Sequence, residues 1–489
     1  MATGCPKQLT FWSIGRQQVT TTPDGGRIVS DAGLIPLRNF EKQLGLLADL
    51  ARRLPDPRSP KFIVHSQERI LTQQIYQILA GYPDCNDAQT LRDDPLFQTL
   101  ADVSPDGKQP LASRSTLNRH QYAYTRRDAE LPREERPALL DQRAAQTGRI
   151  KILNEFLVDW FIRTRTTVPT FVIIDLDASD DPTHGQQVLT GFHGYFDQHQ
   201  YFPLFAFDGM SGFPLAAWLR PGTVHASTGA IDTLALIVRK LRAIWPDLLI
   251  LVRGDTGFAI PDMYEFCETE SLLYALGYGS NNVLKERTNP WLADLELYYA
   301  CYSHREEHVQ RFEWIDDYQA DGWTRPRRII AKIEINQHGT NRRFVVTNLT
   351  GNPGGIYRGF YVQRGDVPER PIGELKNGLQ ADRLSCHGFS ANGLRLLEHT
   401  VAYALVVLFR EATAEVPEVA TAEVATLRQR LWKVGAVVTT SARRIWFHLS
   451  ETWPHWNLWE RVQAALTRFV ERLQQPSHGP PQPIALLPM

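Results

Sequence analysis

The sequence predicts an α/β protein, and three observations carry that expectation. Residues 171–174 form a short apolar run that reads as a buried strand and ends in two acids, Asp175 and Asp177. Residues 248–252 form a second such run, leading into Asp255. Between the two lie aromatic-rich segments of strand length and one clear amphipathic helix over 228–245, with Ile231, Leu234, Ile237, Leu241 and Ile244 at helical spacing.

The chain of 489 residues is 43% hydrophobic and 22% charged, enough for roughly two to four domains with ample core. Its first 165 residues read as a helical region. Leu34, Leu37, Phe40, Leu44, Leu47 and Leu50 recur at helical spacing after a candidate cap, Asp31. A second helix spans 66–80 and ends at Gly81-Tyr82-Pro83, and a capped start follows at Ser113. Past the first acidic strand, the runs 192–196 and 201–207 flank a polar turn at 197–200 and read as a hairpin, and 214–219 reads as a third strand. A helix over 261–270 and a strand over 274–278 follow Asp255. Residues 296–354 alternate as an antiparallel β insertion, with strands near 308–315, 328–335 and 343–348. A long apolar helix covers 391–411, and the Ala/Glu/Val/Pro-rich stretch 411–423 reads as a linker. Beyond it, 430–449 reads as a basic hairpin with Arg428, Arg430, Lys433, Arg443 and Arg444, then a closing helix and a mobile Pro-rich end.

The formal net charge of −1 excludes a global basic field, so contacts to nucleic acid must come from local patches. Five dispersed cysteines without a C-x-x-C pair point to a reducing compartment and no zinc site. The N-terminus lacks a signal-peptide pattern, and the longest apolar run, 401–409, is too short for a bilayer. A cytoplasmic protein with no membrane partner is expected.

Asp175 and Asp177 sit two apart, so on a strand both carboxylates face one side. Carboxylates at the end of a buried strand are costly unless compensated, and a divalent cation is a common compensation. The plainer alternative is a solvated strand end in a polar turn. The order of elements is strand with acid, meander, helix, strand with acid. That is the layout of a ribonuclease-H-like nuclease core.

The surrounding words are more specific. DLDASDDPTHGQQ at 175–187, RGDTGF at 253–258, Tyr361-x2-Arg364, Glu369-x6-Lys376 and ADRLSCH at 381–387 occur in that order. GYPDCND at 81–87, LRDDP at 91–95, STLNR at 115–119 and RLWKVGA at 430–436 accompany them. Together they resemble the DDE transposases of bacterial insertion sequences (insertion-sequence family 1380, DDE domain group 1), over nearly the whole chain.

That resemblance implies a ribonuclease-H-like catalytic core at 166–295 and 355–415, interrupted by a β insertion at 296–354. It also implies an α-helical DNA-binding region at 1–165 and a basic hairpin and helix at 416–489. It implies Mg²⁺, with Mn²⁺ able to substitute, held by Asp177, Asp255 and Glu369 as catalytic acids. Asp175 stays open as an alternative first acid. Glu374 stays open as an alternative third acid, because Arg364 and Glu369 are one residue further apart than the family spacing. Tyr361, Arg364, Lys376, Lys433, Arg443 and Arg444 are the implied DNA contacts. His184 near the metals and Trp323 as a DNA wedge are further candidates, each with ordinary loop or packing roles as the alternative. The implied partners are terminal inverted repeats and target DNA, bound by a homodimer on paired ends. A non-catalytic DNA-binding protein on this fold, or a metal-dependent nuclease without strand transfer, would carry much of the same sequence.

Overall fold

The computed structural model describes residues 8–56, 58–122, 148–302, 308–364 and 369–474. The Pro-rich end, the loop Gly365–Pro368 and Cys5 lie outside them, as do residues 123–147 of the expected helical region. The chain forms two compact units. One comprises Met1–Arg52, Asp56–His120 and Ala412–Val470; the other comprises Arg53–Pro55, Gln121–Glu411 and Glu471–Met489.

The second unit is built on an eight-stranded sheet of β1 (Phe171–Ala178), β2 (Leu204–Asp208), β3 (Pro214–Trp218), β4 (Leu249–Gly254), β5 (Leu273–Tyr278), β6 (His308–Tyr318), β7 (Arg327–Asn336) and β8 (Gly339–Thr347). Its spatial order is β6-β7-β8-β5-β4-β1-β2-β3. β1, β2 and β3 form an antiparallel meander, whereas β4 runs parallel to both β1 and β5. The apolar runs explain the centre: Val172, Ile174, Leu176, Ile250 and Val252 are all buried, as strands covered on both faces require. The parallel step from β3 to β4 needs a crossover, supplied by the helix Ala230–Ile244, which buries Leu234, Ile237 and Leu241. The β3 edge is covered by the helix Gly148–Arg163. Asn154, fully buried, accepts from the Ala217 amide at 2.7 Å and donates to its carbonyl at 3.2 Å.

Three features of this unit differ from the sequence expectation. The antiparallel strands β6–β8 continue the central sheet, since β8 pairs with β5 from Ala275↔Thr347 to Tyr278↔Phe344. A helix, Asn282–Tyr302, precedes them despite Pro290 in its interior; Leu295 packs against Val309, Ile333 and Ile335, and that burial overrides local propensity. The expected hairpin is split. Gly191–His193 pairs with Gln198–Tyr201 in a small separate sheet, while Leu204–Asp208 belongs to the central one. Trp323, for which the sequence offered packing as well as a wedge, is buried among Tyr264, Tyr278 and Tyr318 with Arg327 over its ring, a packing position. Among the described residues no helix is long and apolar enough to cross a membrane, the Phe389–Ala412 helix included.

The first unit combines Met1–Arg52 and Asp56–His120 with Ala412–Val470, where the sequence reading had separate N- and C-terminal regions. Its opening is β-structured: Leu9–Ile14 pairs with Gln17–Thr21, and Ile28–Val29 pairs with Ala436–Thr440, itself paired with Ile445–Leu449. The first apolar helix is broken into Ile35–Leu44 and Leu46–Arg53 by Gly45, whose φ of 74° suits glycine. Asp31 caps nothing with its side chain and instead accepts from Lys433 Nζ at 2.9 Å. The expected linker is packed structure. Val416 and Val419 are buried, and Glu415 and Glu418 pair with Arg468 and Arg461 of the Trp456–Gln474 helix.

Gly33 marks the closest approach in this unit. A Cβ there would fall within 1.6 Å of the Leu431 carbonyl oxygen, so any side chain forces two backbone segments apart. Gly33→Ala is expected to cost about 1–3 kcal/mol, the usual range for overpacking. The cost would be read as an earlier urea midpoint for the first unit, with the far-UV spectrum of the rest retained.

Candidate functional site

The acidic strand tips come from register. Arg253 of β4 lies directly beside Asp175 of β1 in the parallel pair, and Asp177 and Asp255 each follow two residues on. Asp175 is fully buried and takes two bonds from Arg253, Nε to Oδ1 at 2.5 Å and Nη2 to Oδ2 at 2.6 Å. Burial pushes the Asp175 carboxyl up, and the guanidinium opposes that shift. Asp175 is thus committed to an internal pair. Asp177 is half-buried, its Oδ1 accepting only the Ala178 amide at 2.8 Å. Asp255 is half-buried and caps the turn Thr256–Phe258, accepting from the Gly257 amide at 2.8 Å.

The third acid comes from an irregular helical stretch. A π-turn at Tyr357–Tyr361 leads through Val362–Arg364, and Glu369–Gly373 and Glu374–Gly378 form one more helical segment. Glu369 begins it, exposed, with Pro371 inside the first turn where a missing N–H costs little. Glu374 is buried and held by both Arg410 nitrogens at 2.7 and 2.8 Å. The two candidates therefore differ: Glu374 is neutralised inside the fold, while Glu369 faces open space. A cavity of about 400 Å³ is lined by Asp177, Ser179, Glu369, Ile372, Lys376 and Asn377, among others.

Lys376 lines that cavity, but its ammonium rests on Asp180, 2.7 Å from Oδ1 and 2.9 Å from the carbonyl. Burial alone would raise the Asp180 carboxyl; the Lys376 bond and charge outweigh it and hold it below the usual value. Tyr361 is half-buried, and Gly277 makes room for its hydroxyl, since a Cβ there would come within 2.6 Å. Arg364 lies 6.0 Å from the Tyr361 ring centroid, and its charge is felt at Asp177. His184 is exposed in its loop.

Among the described residues Asp177, Asp255 and Glu369 form no salt bridge. Burial is the main cause that pushes Asp177 up to about 6. Arg364 pulls the other way, while the negative charges of Asp255 and Glu369 add to the rise. No three His, Cys, Asp or Glu side chains among the described residues already converge as a metal cage.

The expected basic hairpin over 430–449 is shorter: Arg428–Trp432 is a helical turn, Lys433 follows it, and the paired strands are Ala436–Thr440 and Ile445–Leu449. Arg443 and Arg444 are exposed at its turn, and Arg444 lies 5.4 Å from the Trp446 ring, itself 47% exposed. Lys433 is different: it holds Asp31 and lies 4.9 Å from the Tyr82 ring. Arg428 donates to the Leu79 carbonyl at 3.0 Å. The sequence reading missed Arg253, Arg410 and Asp180 as partners. Arg253 was detectable from its place opposite Asp175 once two parallel strands were assumed. Arg410, 36 residues from Glu374, gave no local signal.

The family profile described as transposase DDE domain group 1 matches residues 11–471. No curated protein matches the chain. Among solved structures, a piggyBac transposase synaptic complex with hairpin DNA is similar at 11% identity and a TM-score of 0.40, over 92% of this chain and 83% of that one.

The raised Asp177 carboxyl has a measurable sign. Between its ordinary value of 3.8 and about 6, the folded chain keeps a proton that the unfolded chain has released. This contribution therefore favours the fold at low pH and is lost as pH rises through about 6. In metal-free buffer, Asp177→Asn should be more stable than the parent at pH 7.5 by about 1–3 kcal/mol, with the gain vanishing toward pH 4. Paired melts across that range check it; a difference independent of pH would contradict it.

Proposed function

The chain belongs to the transposase DDE domain group 1 family, and from that premise we propose that it is a DNA transposase. In this reading it binds the terminal inverted repeats of its element, cleaves the ends and joins them to target DNA as a homodimer. The observation that carries the catalytic reading is the shared cavity of Asp177 and Glu369, with the charge of Asp255 raising Asp177. The sheet order β3-β2-β1-β4-β5, antiparallel and then parallel, supports a ribonuclease-H-like core.

The residues fit divalent metal. Mg²⁺ takes one or two carboxylates and fills its shell with water and phosphate oxygens, so an open set of oxygens without a closed cage suits it, and Mn²⁺ can substitute. Asp177, Asp255 and Glu369 would hold it. Bound there, it would supply charge neutralisation at the attacking and leaving oxygens of a phosphodiester. The chain's own residues do the rest. The three acids concentrate negative charge at one place, and Arg364 offsets it at Asp177 only in part. Arg364 and Lys376 flank that place and counter the backbone charge of DNA, Lys376 by exchanging Asp180 for phosphate. Tyr361 offers a ring for an unpaired base. Asp175 and Glu374 are assigned structural roles, on Arg253 and Arg410. Arg443 and Arg444 are the duplex contacts of the first unit.

On a labelled inverted-repeat duplex with Mg²⁺, Asp177→Ala, Asp255→Ala and Glu369→Gln should each abolish cleavage and leave end binding intact. Glu374→Gln should keep most cleavage while lowering the melting temperature, because a buried pair loses one charge. A dead Glu374→Gln beside an active Glu369→Gln would reverse the assignment. Cleavage without joined product would mark a nuclease, and binding without cleavage a non-catalytic protein.

Replacing Arg443 and Arg444 together by Ala should weaken end binding and reduce the salt slope by about 0.9 per lost phosphate contact. Lys433→Ala should leave that slope unchanged. Fluorescence titration over a salt series decides it; an unchanged slope in the double variant would remove the hairpin from the interface.

A further inference from the structure

Arg253 is buried at 2% exposure, so it meets neither solvent nor substrate. Its three nitrogens are nonetheless all spent, on two other segments of the chain. Nε and Nη2 bind the two oxygens of Asp175 on β1, and Nη1 donates to the carbonyl of Phe360 at 2.8 Å. The guanidinium also lies 5.2 Å from the Phe360 ring centroid. Asp175 is two residues before Asp177; Arg253 is two residues before Asp255; Phe360 precedes Tyr361, Arg364 and the segment that begins at Glu369. One side chain thus ties together the two strands that carry Asp177 and Asp255 and the helical stretch that carries Tyr361 and Arg364.

Gly209 closes the arrangement from the far side. A Cβ there would come within 2.7 Å of Arg253 Nη2, 2.7 Å of Ile173 Cγ2 and 2.9 Å of Asp175 Oδ2. The pair has no room to shift, and lysine cannot replace arginine in it, because one ammonium cannot bond three fixed acceptors in a plane.

We propose that Arg253, through its bonds to Asp175 and to the Phe360 carbonyl, is the positioning residue that sets the spacing of Asp177 and Asp255, with Tyr361 and Arg364 beside them, and thereby the affinity of the acids for a divalent cation. This rests on the function proposed above. Groups that orient metal-holding carboxylates from behind typically change metal affinity by about 10–100-fold when altered.

The test uses the full chain, with Arg253→Lys and Gly209→Ala as variants. Mn²⁺ alone is titrated into DNA-free protein by calorimetry, and end cleavage is followed against Mg²⁺ concentration. The expected result is a Mn²⁺ affinity about 10–100-fold weaker and a Mg²⁺ midpoint shifted upward to match, with cleavage restored toward the parent rate at saturating Mg²⁺. A folded variant of either kind that binds Mn²⁺ like the parent overturns the proposal, even if its melting temperature falls, since that is what a purely structural tie would give. Should Arg253→Lys not fold, Gly209→Ala, which keeps every charge, decides alone. If the parent chain binds Mn²⁺ but cleaves no repeat, the transposase reading fails while the Mn²⁺ comparison still decides the role of Arg253.

Discussion

A charge pair sealed from water holds the centre of the second unit. Burying a guanidinium and a carboxylate costs several kcal/mol per ion, repaid only when the geometry is good and the remaining donors are satisfied. Arg253 and Asp175 meet that condition with two parallel bonds and a third to a backbone carbonyl. The return is less in stability than in registration. A slip of one residue between β1 and β4 would turn one partner to the opposite face and leave both charges buried and alone. The pair therefore fixes which residues stand level at the carboxyl ends of the two strands.

Around that centre the acids divide into two kinds. Asp175, Asp180 and Glu374 each have a cation within 2.7 Å. Asp177, Asp255 and Glu369 are left without one among the described residues, and burial plus mutual repulsion hold Asp177 near 6. Uncompensated charge of this kind lowers the stability of the free protein, and such groups concentrate where a fold binds something positive. The neutralised acids keep the unneutralised ones in place: Lys376 closes one wall of the cavity on Asp180, and Arg410 anchors the segment headed by Glu369.

Much of this was legible in the sequence. The apolar runs at 171–174 and 248–252 marked the two central strands because buried parallel strands read as continuous hydrophobic stretches. The helix read over 66–80 is present as Gln67–Ala80, with Ser66 accepting from the Arg69 amide at 3.2 Å. What escaped was tertiary. The linker at 411–423 had linker composition, yet Val416 and Val419 find a core. The helix Asn282–Tyr302 contains a proline that argues against it locally. Spacing alone left Glu369 and Glu374 open, because the difference between them is Arg410, distant in sequence. Lys433 and Arg444 looked equivalent as charges until Asp31 proved to hold one of them.

The first unit's sheet draws Val29 beside Ala436, and Gly33 meets the backbone of Leu431. This has a bearing on synthesis at the ribosome. Chains emerge N-terminus first, at roughly 5–20 residues per second. The opening strand thus waits some tens of seconds for its partner, while the β1–β8 sheet has all its strands well before. A product terminated after residue 347 but before residue 436 would contain every strand of the central sheet and lack the ladder that completes the first unit. Full translation is therefore a condition for the two units to exist in the same molecule.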